Sequence, residues 1–277
     1  MTLQTRNNYF KAGSIISALA LAFVISAAFA ALPAYPEAME ESAFRSSGLV
    51  QWFLNGRMAV SPYIPFISTL GAAVFSLVTL IVIRYSFEKT QSEEIFYIGC
   101  FALSMAFECF RIVVPLKNAI GLPGIYLYIS SRLLIFGRCL GLFSLFAAGI
   151  CAAGLRIEKQ RNMVITAITV AMILALGIPI DGLSWDSSLN MQSGYVPMFL
   201  LVEAGLPVIT VLSFFVAAHI RSAKEYIAIG LGILMVFAGR NILLESDTMI
   251  TPWPGLLFLS AGAWLACSRL HRIYLWI

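Results

Sequence analysis

Apolar residues occur in long unbroken runs that are separated by short polar stretches. Eight of these runs approach the length of about 20 residues that an α-helix needs to cross a hydrocarbon core about 30 Å thick. A membrane β-barrel would instead alternate apolar and polar residues over segments of about ten. We therefore predict an all-α, polytopic membrane helix bundle with segments at 12–32, 63–83, 95–114, 126–154, 164–180, 196–218, 226–244 and 254–275.

The first apolar segment fits two alternatives. Arg6 and Lys11 precede it, and residues 28–30 form an Ala-x-Ala cleavage pattern, as at the end of a signal peptide. Cleavage would leave seven helices with the amino terminus outside. The uncut segment is also long enough to span, which would give eight helices.

The predicted segments divide the chain into three parts. Residues 1–32 are a signal peptide or first transmembrane helix, residues 33–62 are an extracytoplasmic loop, and residues 63–277 form a seven-helix transmembrane bundle. Within the long loop, residues 49–54 are mostly apolar and lie between charged residues. This pattern predicts a short amphipathic helix on the outer surface.

Basic residues indicate the orientation, because short cytoplasmic loops retain Lys and Arg. With the amino terminus inside, eleven of the 18 basic residues fall on the inner side, three on the outer side and four within segments. The eleven include Arg269 and Arg272, which follow the apolar part of the last segment. We therefore predict a multi-pass plasma (inner) membrane protein with a cytoplasmic carboxyl terminus. The inner loops are too short for a catalytic or output domain.

Composition supports lipid as the principal partner. The chain is 60% hydrophobic and 12% charged, whereas soluble domains have about 45–50% apolar and about 25% charged residues. The net charge of +4 is not clustered, so we expect no nucleic-acid partner. Scattered cysteines, two distant histidines and the absence of a phosphate-loop motif predict no metal site and no cofactor.

Ionisable residues within the apolar segments are the candidate functional residues, because a charge in hydrocarbon costs several kcal/mol and needs a partner. There are six such candidates, and helix direction and spacing place five of them in the outer half of the membrane, with Arg138 near the middle. Glu108 and Arg111 are three residues apart, as in an ion pair on one helix face. The candidate ligand-binding residues are Glu108, Arg111, Arg132, Arg138, Glu203, Arg240 and the adjacent Asn241.

These residues support two interpretations. Four arginines against two glutamates leave an excess of two positive charges, and Arg binds carboxylates and phosphates through a planar fork of donors. An outward-facing site for a small anionic ligand or an anionic lipid headgroup is one interpretation. The alternative is a structural network in which the glutamates neutralise two arginines, while Arg132 and Arg240 extend to the headgroups.

Small and polar residues also repeat along two segments. Cys100, Ser104 and Glu108 are four apart, which predicts a polar stripe facing the bundle. Small residues on the fourth segment, among them Gly137 and Gly141, predict close helix packing.

We therefore hypothesise a non-enzymatic membrane protein, either sensor-like or an accessory subunit, that binds a small anion or partner from outside. A partner membrane or cytoplasmic protein would have to carry its output. Seven helices behind a cleavable segment are loosely similar to bacterial seven-helix sensor regions, although no motif matches a family. The alternatives are a small secondary transporter and a lipid-modifying enzyme that uses Glu108 or Glu203. No catalytic residue is assigned.

Overall fold

The computed structural model describes residues 3–42, 60–87, 92–154, 160–194 and 196–275. These residues are helical apart from short connections, an isolated β-bridge and one β-hairpin. The helices are α1 (Leu3–Ala31), α2 (Tyr35–Glu40), α3 (Ile64–Ser86), α4 (Glu93–Ser104), α5 (Val113–Ile120), α6 (Gly124–Ala152), α7 (Gln160–Gly177), α8 (Val196–Ile220), α9 (Glu225–Leu244) and α10 (Pro252–Leu275), and the strands are β1 (Ile180–Trp185) and β2 (Met191–Ser193).

The helical prediction is confirmed, and within the described residues six helical stretches are long and apolar enough to cross a membrane. The predicted count of eight is not reached. The apolar part of α7 is shorter, and α10 carries Arg269, His271 and Arg272 in its final turns. The six stretches are Leu3–Glu40, Ile64–Ser86, Glu93–Ile120, Gly124–Ala152, Leu201–Ile220 and Glu225–Leu244.

The third predicted segment differs from expectation. Instead of one helix followed by a loop from Pro115, the chain forms α4, a 3-10 helix over Met105–Ile112, and α5. Pro115 is the third residue of α5, which continues directly from the 3-10 helix, so the chain stays helical past a residue that has no backbone N–H to donate. The helix ends at Gly121, whose φ of 65° is the left-handed conformation that glycine adopts readily.

Two ends of the bundle are defined by contacts between residues that are distant in sequence. At the terminal end, which holds the first and last described helical turns, Arg6 donates from Nη2 to the Phe87 carbonyl at 2.9 Å and the Tyr274 hydroxyl contacts Glu94 Oε2 at 2.9 Å. At the opposite, hairpin end, Trp185 Nε1 donates to the carbonyl of Ala38 at 2.7 Å. α1 and α3 therefore run in opposite directions, and α4 begins and α10 ends at the terminal end.

The connection between α7 and α8, which the predicted segments ending at residue 180 and beginning at residue 196 left unassigned, forms a β-hairpin. β1 and β2 pair antiparallel, and residues 186–190 connect them in what we call the 186–190 turn. Trp185 and Leu189 are each 3% exposed and pack in a cluster with Tyr35 and Leu127. Because these apolar side chains are buried, the hairpin folds inward over the helix ends.

Close packing holds the centre of the bundle together. Gly137 lies against the Phe107 side chain and Gly141 against Ser104, which confirms the small-residue contact predicted for this helix. The α4–α5 stretch is the most enclosed, with 78% of its apolar window buried, against 28% for the stretch that begins at Leu3. The candidate charges on this stretch are therefore held inside the protein. The predicted amphipathic helix at residues 49–54 lies outside the described residues.

Candidate charged site

Glu108 lies at the centre of a buried ion-pair network. Its Oε1 accepts from Arg138 Nε at 2.8 Å and its Oε2 from Arg138 Nη2 at 2.9 Å, a two-point contact between α6 and the 3-10 helix. The same Nη2 donates to Asn190 Oδ1 at 2.7 Å. The side chain of Glu108 is 3% exposed and that of Arg138 is 14% exposed. Arg138 is thus satisfied by one carboxylate and one side-chain amide.

Arg111 is bound chiefly to backbone. Its Nε donates to the Ser188 carbonyl at 3.1 Å, and its Nη2 donates to the same oxygen. Its Nη1 is 3.3 Å from Ser68 Oγ and 3.9 Å from Glu108 Oε2. The predicted pairing with Glu108 is therefore a peripheral contact, because the carboxylate faces Arg138. The Arg111 fork instead holds a single, uncharged oxygen.

Arg240 forms the second ion pair of the site. Its Nη1 is 2.9 Å from Glu203 Oε1 and 2.9 Å from Asn241 Oδ1. Arg240 is 1% exposed, and its Nη2 has no hydrogen-bond partner among the described residues. The extension of Arg240 to the headgroups is therefore wrong, because the side chain lies inside the bundle and meets Glu203 from α8. The other part of that alternative, two arginines paired with the two glutamates, is present.

The two ion pairs belong to one charged cluster. Glu203 acts electrostatically on Arg138, and Arg240 acts on Glu108, so the pairs lie within range of one another. We call the five ionised residues Glu108, Arg111, Arg138, Glu203 and Arg240 the charged cluster.

Arg132 is separate from the charged cluster. Its Nη1 donates to the carbonyls of Ala175, at 2.6 Å, and of Ile178, at the end of α7. Its Nη2 contacts the Tyr128 hydroxyl at 2.7 Å, and its guanidinium lies 4.7 Å from the centre of that ring. A cation at the carboxyl end of a helix interacts favourably with the helix dipole. The contacts of Arg132 therefore serve α7.

The 186–190 turn brings a further carboxylate to the cluster. Asp186 Oδ1 accepts from the backbone N–H groups of Ser188, at 3.0 Å, and Asn190, at 2.8 Å. Burial raises the pKa of Asp186, although Asn190, Arg111 and Arg138 act in the opposite direction. Leu189 has a φ of 59°, a left-handed conformation that is unfavourable for a bulky residue. The contacts of the turn, rather than its local preference, hold it in this conformation.

Glu245, just beyond α9, also acts on this site. Burial raises its pKa, and Glu203 adds to that shift, while Arg138 and Arg240 oppose it. With Asp186 and Glu245 included, four carboxylates interact electrostatically with Arg111, Arg138 and Arg240. The expected excess of positive charge is therefore absent in this closed arrangement, because loop and helix-end carboxylates that the sequence left outside come close to it.

The sequence missed three residues of the turn that contact or surround the cluster: Asp186, Ser188 and Asn190. An Asp followed by Ser and Asn is typical of a turn in which the carboxylate accepts backbone N–H groups, and this signal was available. Ser188 contributes its carbonyl, which any residue would supply, so its role leaves no trace in the sequence.

Other features of the described residues lie apart from the cluster. No group of three His, Cys, Asp or Glu side chains there could hold a metal ion. A cavity of about 150 Å³ between α1, α4, α6 and α7 is lined mainly by apolar side chains, among them Phe10, Leu103 and Ile168. The charged cluster is thus the principal concentration of buried charge at the hairpin end.

Together, the apolar helices and the buried cluster define the chain as a helical membrane protein. A protein of Treponema pallidum (strain Nichols), described only as uncharacterized, is 21% identical to it over 259 aligned residues, which cover 76% of this chain and 75% of that protein. No family model matches the chain, and no solved structure matches it. Any functional assignment must therefore come from the site itself.

Proposed function

We propose that this protein is a non-enzymatic, sensor-like or accessory membrane protein that binds a small anion, a carboxylate or a phosphate, at the charged cluster from the hairpin side. The observation that carries the proposal is the Arg111 fork. Two of its donors converge on the neutral Ser188 carbonyl, although a guanidinium fork matches two charged oxygens. A carboxylate or phosphate would be the better acceptor.

Arg240 provides a second donor for the same ligand. Its Nη2 is buried without a partner among the described residues, and an unsatisfied buried donor costs about 1–3 kcal/mol, more when charged. An anion that reached this atom would remove that cost. Because Asp186 lies on the turn, a ligand that displaced the turn would replace one negative charge with another and leave the net charge at the site unchanged.

The pairing of the glutamates favours binding over catalysis. Glu108 and Glu203 both lie 2.8–2.9 Å from guanidinium nitrogens, so each carboxylate already has a charged partner inside the bundle. Turnover of a lipid that required either residue would favour the enzyme alternative instead. Anion flux into reconstituted vesicles would favour the transporter alternative.

The proposed topology has eight membrane passes, with the basic terminal end in the cytoplasm and the hairpin end outside. Support for retention of α1 comes from its packing: Val24 and Ala31 are 0% exposed, and Ser17 Oγ lies 2.8 Å from Ser76 Oγ of α3. Mass spectrometry of the mature amino terminus would test retention. A reporter fused between α6 and α7 should report a cytoplasmic position.

Anion binding can be tested on the purified protein by thermal shift with acetate and inorganic phosphate at constant ionic strength. We expect a concentration-dependent rise in Tm for wild type and for Arg132→Gln, and about tenfold weaker binding for Arg240→Gln. Arg269→Gln, at the terminal end, is the matched control. Equal responses from folded Arg240→Gln and wild type would reject the site.

The same chemistry could come from a lipid headgroup instead of a free anion. Nanodiscs with and without phosphatidic acid separate the two sources. A free-anion site responds to acetate or phosphate in both, whereas a headgroup site stabilises the protein only when the anionic lipid is present.

A further inference from the structure

We infer that the 186–190 turn is a built-in competitor of the ligand, so that anion binding at the charged cluster requires the turn to leave the cluster. This inference rests on the proposed function. It concerns the regulation of that site, because the same guanidinium groups would be shared between the turn and the ligand.

The turn makes the contacts that an anion would make. The Ser188 carbonyl accepts from two donors of Arg111, and the side-chain oxygen of Asn190 accepts from Arg138 at 2.7 Å. Asp186 adds a charge that acts on both arginines. The turn therefore occupies the arginine donors and lies on the side from which an outside ligand would approach them.

Independent contacts hold the turn closed. Ser187 Oγ donates to Asp247 Oδ2 at 2.8 Å, and the preceding Trp185 donates to the Ala38 carbonyl at 2.7 Å. Leu189 is 3% exposed in the apolar cluster beside Tyr35. These contacts tie the turn to α2 and to the connection between α9 and α10.

The closed turn also carries strain. The φ of 59° at Leu189 is disfavoured for a residue with a branched side chain, and Leu189 is held there by its burial. Shortening this side chain should release the turn without touching any arginine. A site that is open for only a fraction of the time binds with an affinity reduced by that fraction. Weakening the closed turn should therefore tighten apparent binding.

The experiment compares acetate affinity and Trp185 accessibility in wild type and Leu189→Ala. We expect about tenfold tighter acetate binding and faster acrylamide quenching of Trp185, measured against Trp185→Phe to remove the signal of the other tryptophans. Leu142→Ala is the control, since Leu142 is 0% exposed within α6. It should lower Tm but leave acetate affinity unchanged.

A milder variant covers the case in which Leu189→Ala does not fold. Ser187→Ala removes one contact to Asp247 and should tighten acetate binding about threefold. Unchanged or weaker affinity in a folded turn variant would overturn the competitor role while leaving the proposed anion site intact. Absence of acetate and phosphate binding from wild type and from both turn variants would overturn the proposed function. In that case, quenching of Trp185 would still show whether the turn had opened in the variants.

Discussion

Ion pairs occur at both ends of the bundle, but they differ in their surroundings. At the terminal end, Glu225 and Arg269 lie 2.9 Å apart with side chains 36% and 34% exposed. At the hairpin end, Glu108 and Arg138 lie 2.8 Å apart with side chains 3% and 14% exposed. The distances are similar, but only the second pair is buried away from solvent. Breaking the exposed pair should therefore cost little stability, whereas each member of the buried pair depends on the other as its charge partner.

The largest expected effect comes from breaking the buried pair. Glu108→Gln leaves Arg138 buried without its charge partner and removes the nearest carboxylate from Arg111, which should lower the free energy of unfolding by about 3 kcal/mol. Glu225→Gln, the matched change at the exposed pair, should cost about 0.5 kcal/mol or less. Reversible unfolding in mixed detergent measures both. Similar losses at the two ends would contradict the comparison.

Removing both charges of the buried pair sharpens the test. The double variant Glu108→Gln with Arg138→Gln should be about 1–2 kcal/mol more stable than the sum of the single losses predicts, because neither buried charge is left alone. The Glu225 and Arg269 cycle should show a coupling of about 0.5 kcal/mol or less. Additive losses at the buried pair would be inconsistent with direct pairing.

The turn should respond to pH in the direction opposite to ordinary acid denaturation. Because the pKa of Asp186 is raised above its usual value, its protonated form favours the folded state, and that stabilisation is lost as pH rises through the raised pKa. The contribution of Asp186 to the melting temperature should therefore be largest at acidic pH and should fall as pH rises, which thermal melts of wild type and Asp186→Asn across a pH series measure.

The charged groups that act on Asp186 are Arg111, Arg138 and Glu245, and Glu245 contributes in the same direction. Asp186→Asn keeps an oxygen for the two backbone N–H groups, so its melting temperature should depend less on pH than that of wild type. A pH dependence as large as that of wild type would assign the effect to Glu245 alone.

A smaller effect than at the buried pair is expected at Arg132. Arg132→Gln removes donors to the carbonyls of Ala175 and Ile178 and should cost about 1 kcal/mol. The loss should be independent of Glu108→Gln, since the two residues share no contact among those that the structure describes. Thermal unfolding of the single and double variants measures the coupling, and a coupling above about 1 kcal/mol would place Arg132 within the cluster after all.

The helical bundle and the buried charges could be predicted because each leaves a local signal. Long apolar runs predict spanning helices, and Glu108 or Arg240 within such a run demands a partner. Which partner each would meet was not predictable, because spacing along one helix favours Arg111, whereas the two-point contact comes from Arg138 on another helix. Non-local pairing depends on how helices rotate against one another, and the 3-10 geometry of Met105–Ile112 changes that rotation.

The burial of the turn was beyond prediction for a different reason. Four of its five residues are polar and its sequence is typical of an exposed loop, yet Ser188 is 0% exposed. Burial there depends on the side chains of Trp185 and Leu189 packing between distant helix ends, and on a backbone carbonyl as the acceptor for Arg111. Neither feature has a residue-type signature.

Hydrogen–deuterium exchange of the 186–190 amides, with and without acetate, tests most directly whether an anion displaces the turn. The N–H groups of Asp186, Ser188, Leu189 and Asn190 all donate within the turn at 2.8–3.0 Å. We predict slow exchange in the ligand-free protein and clearly faster exchange at saturating acetate. Exchange that acetate leaves unchanged or slows further, in protein that demonstrably binds it, would contradict displacement.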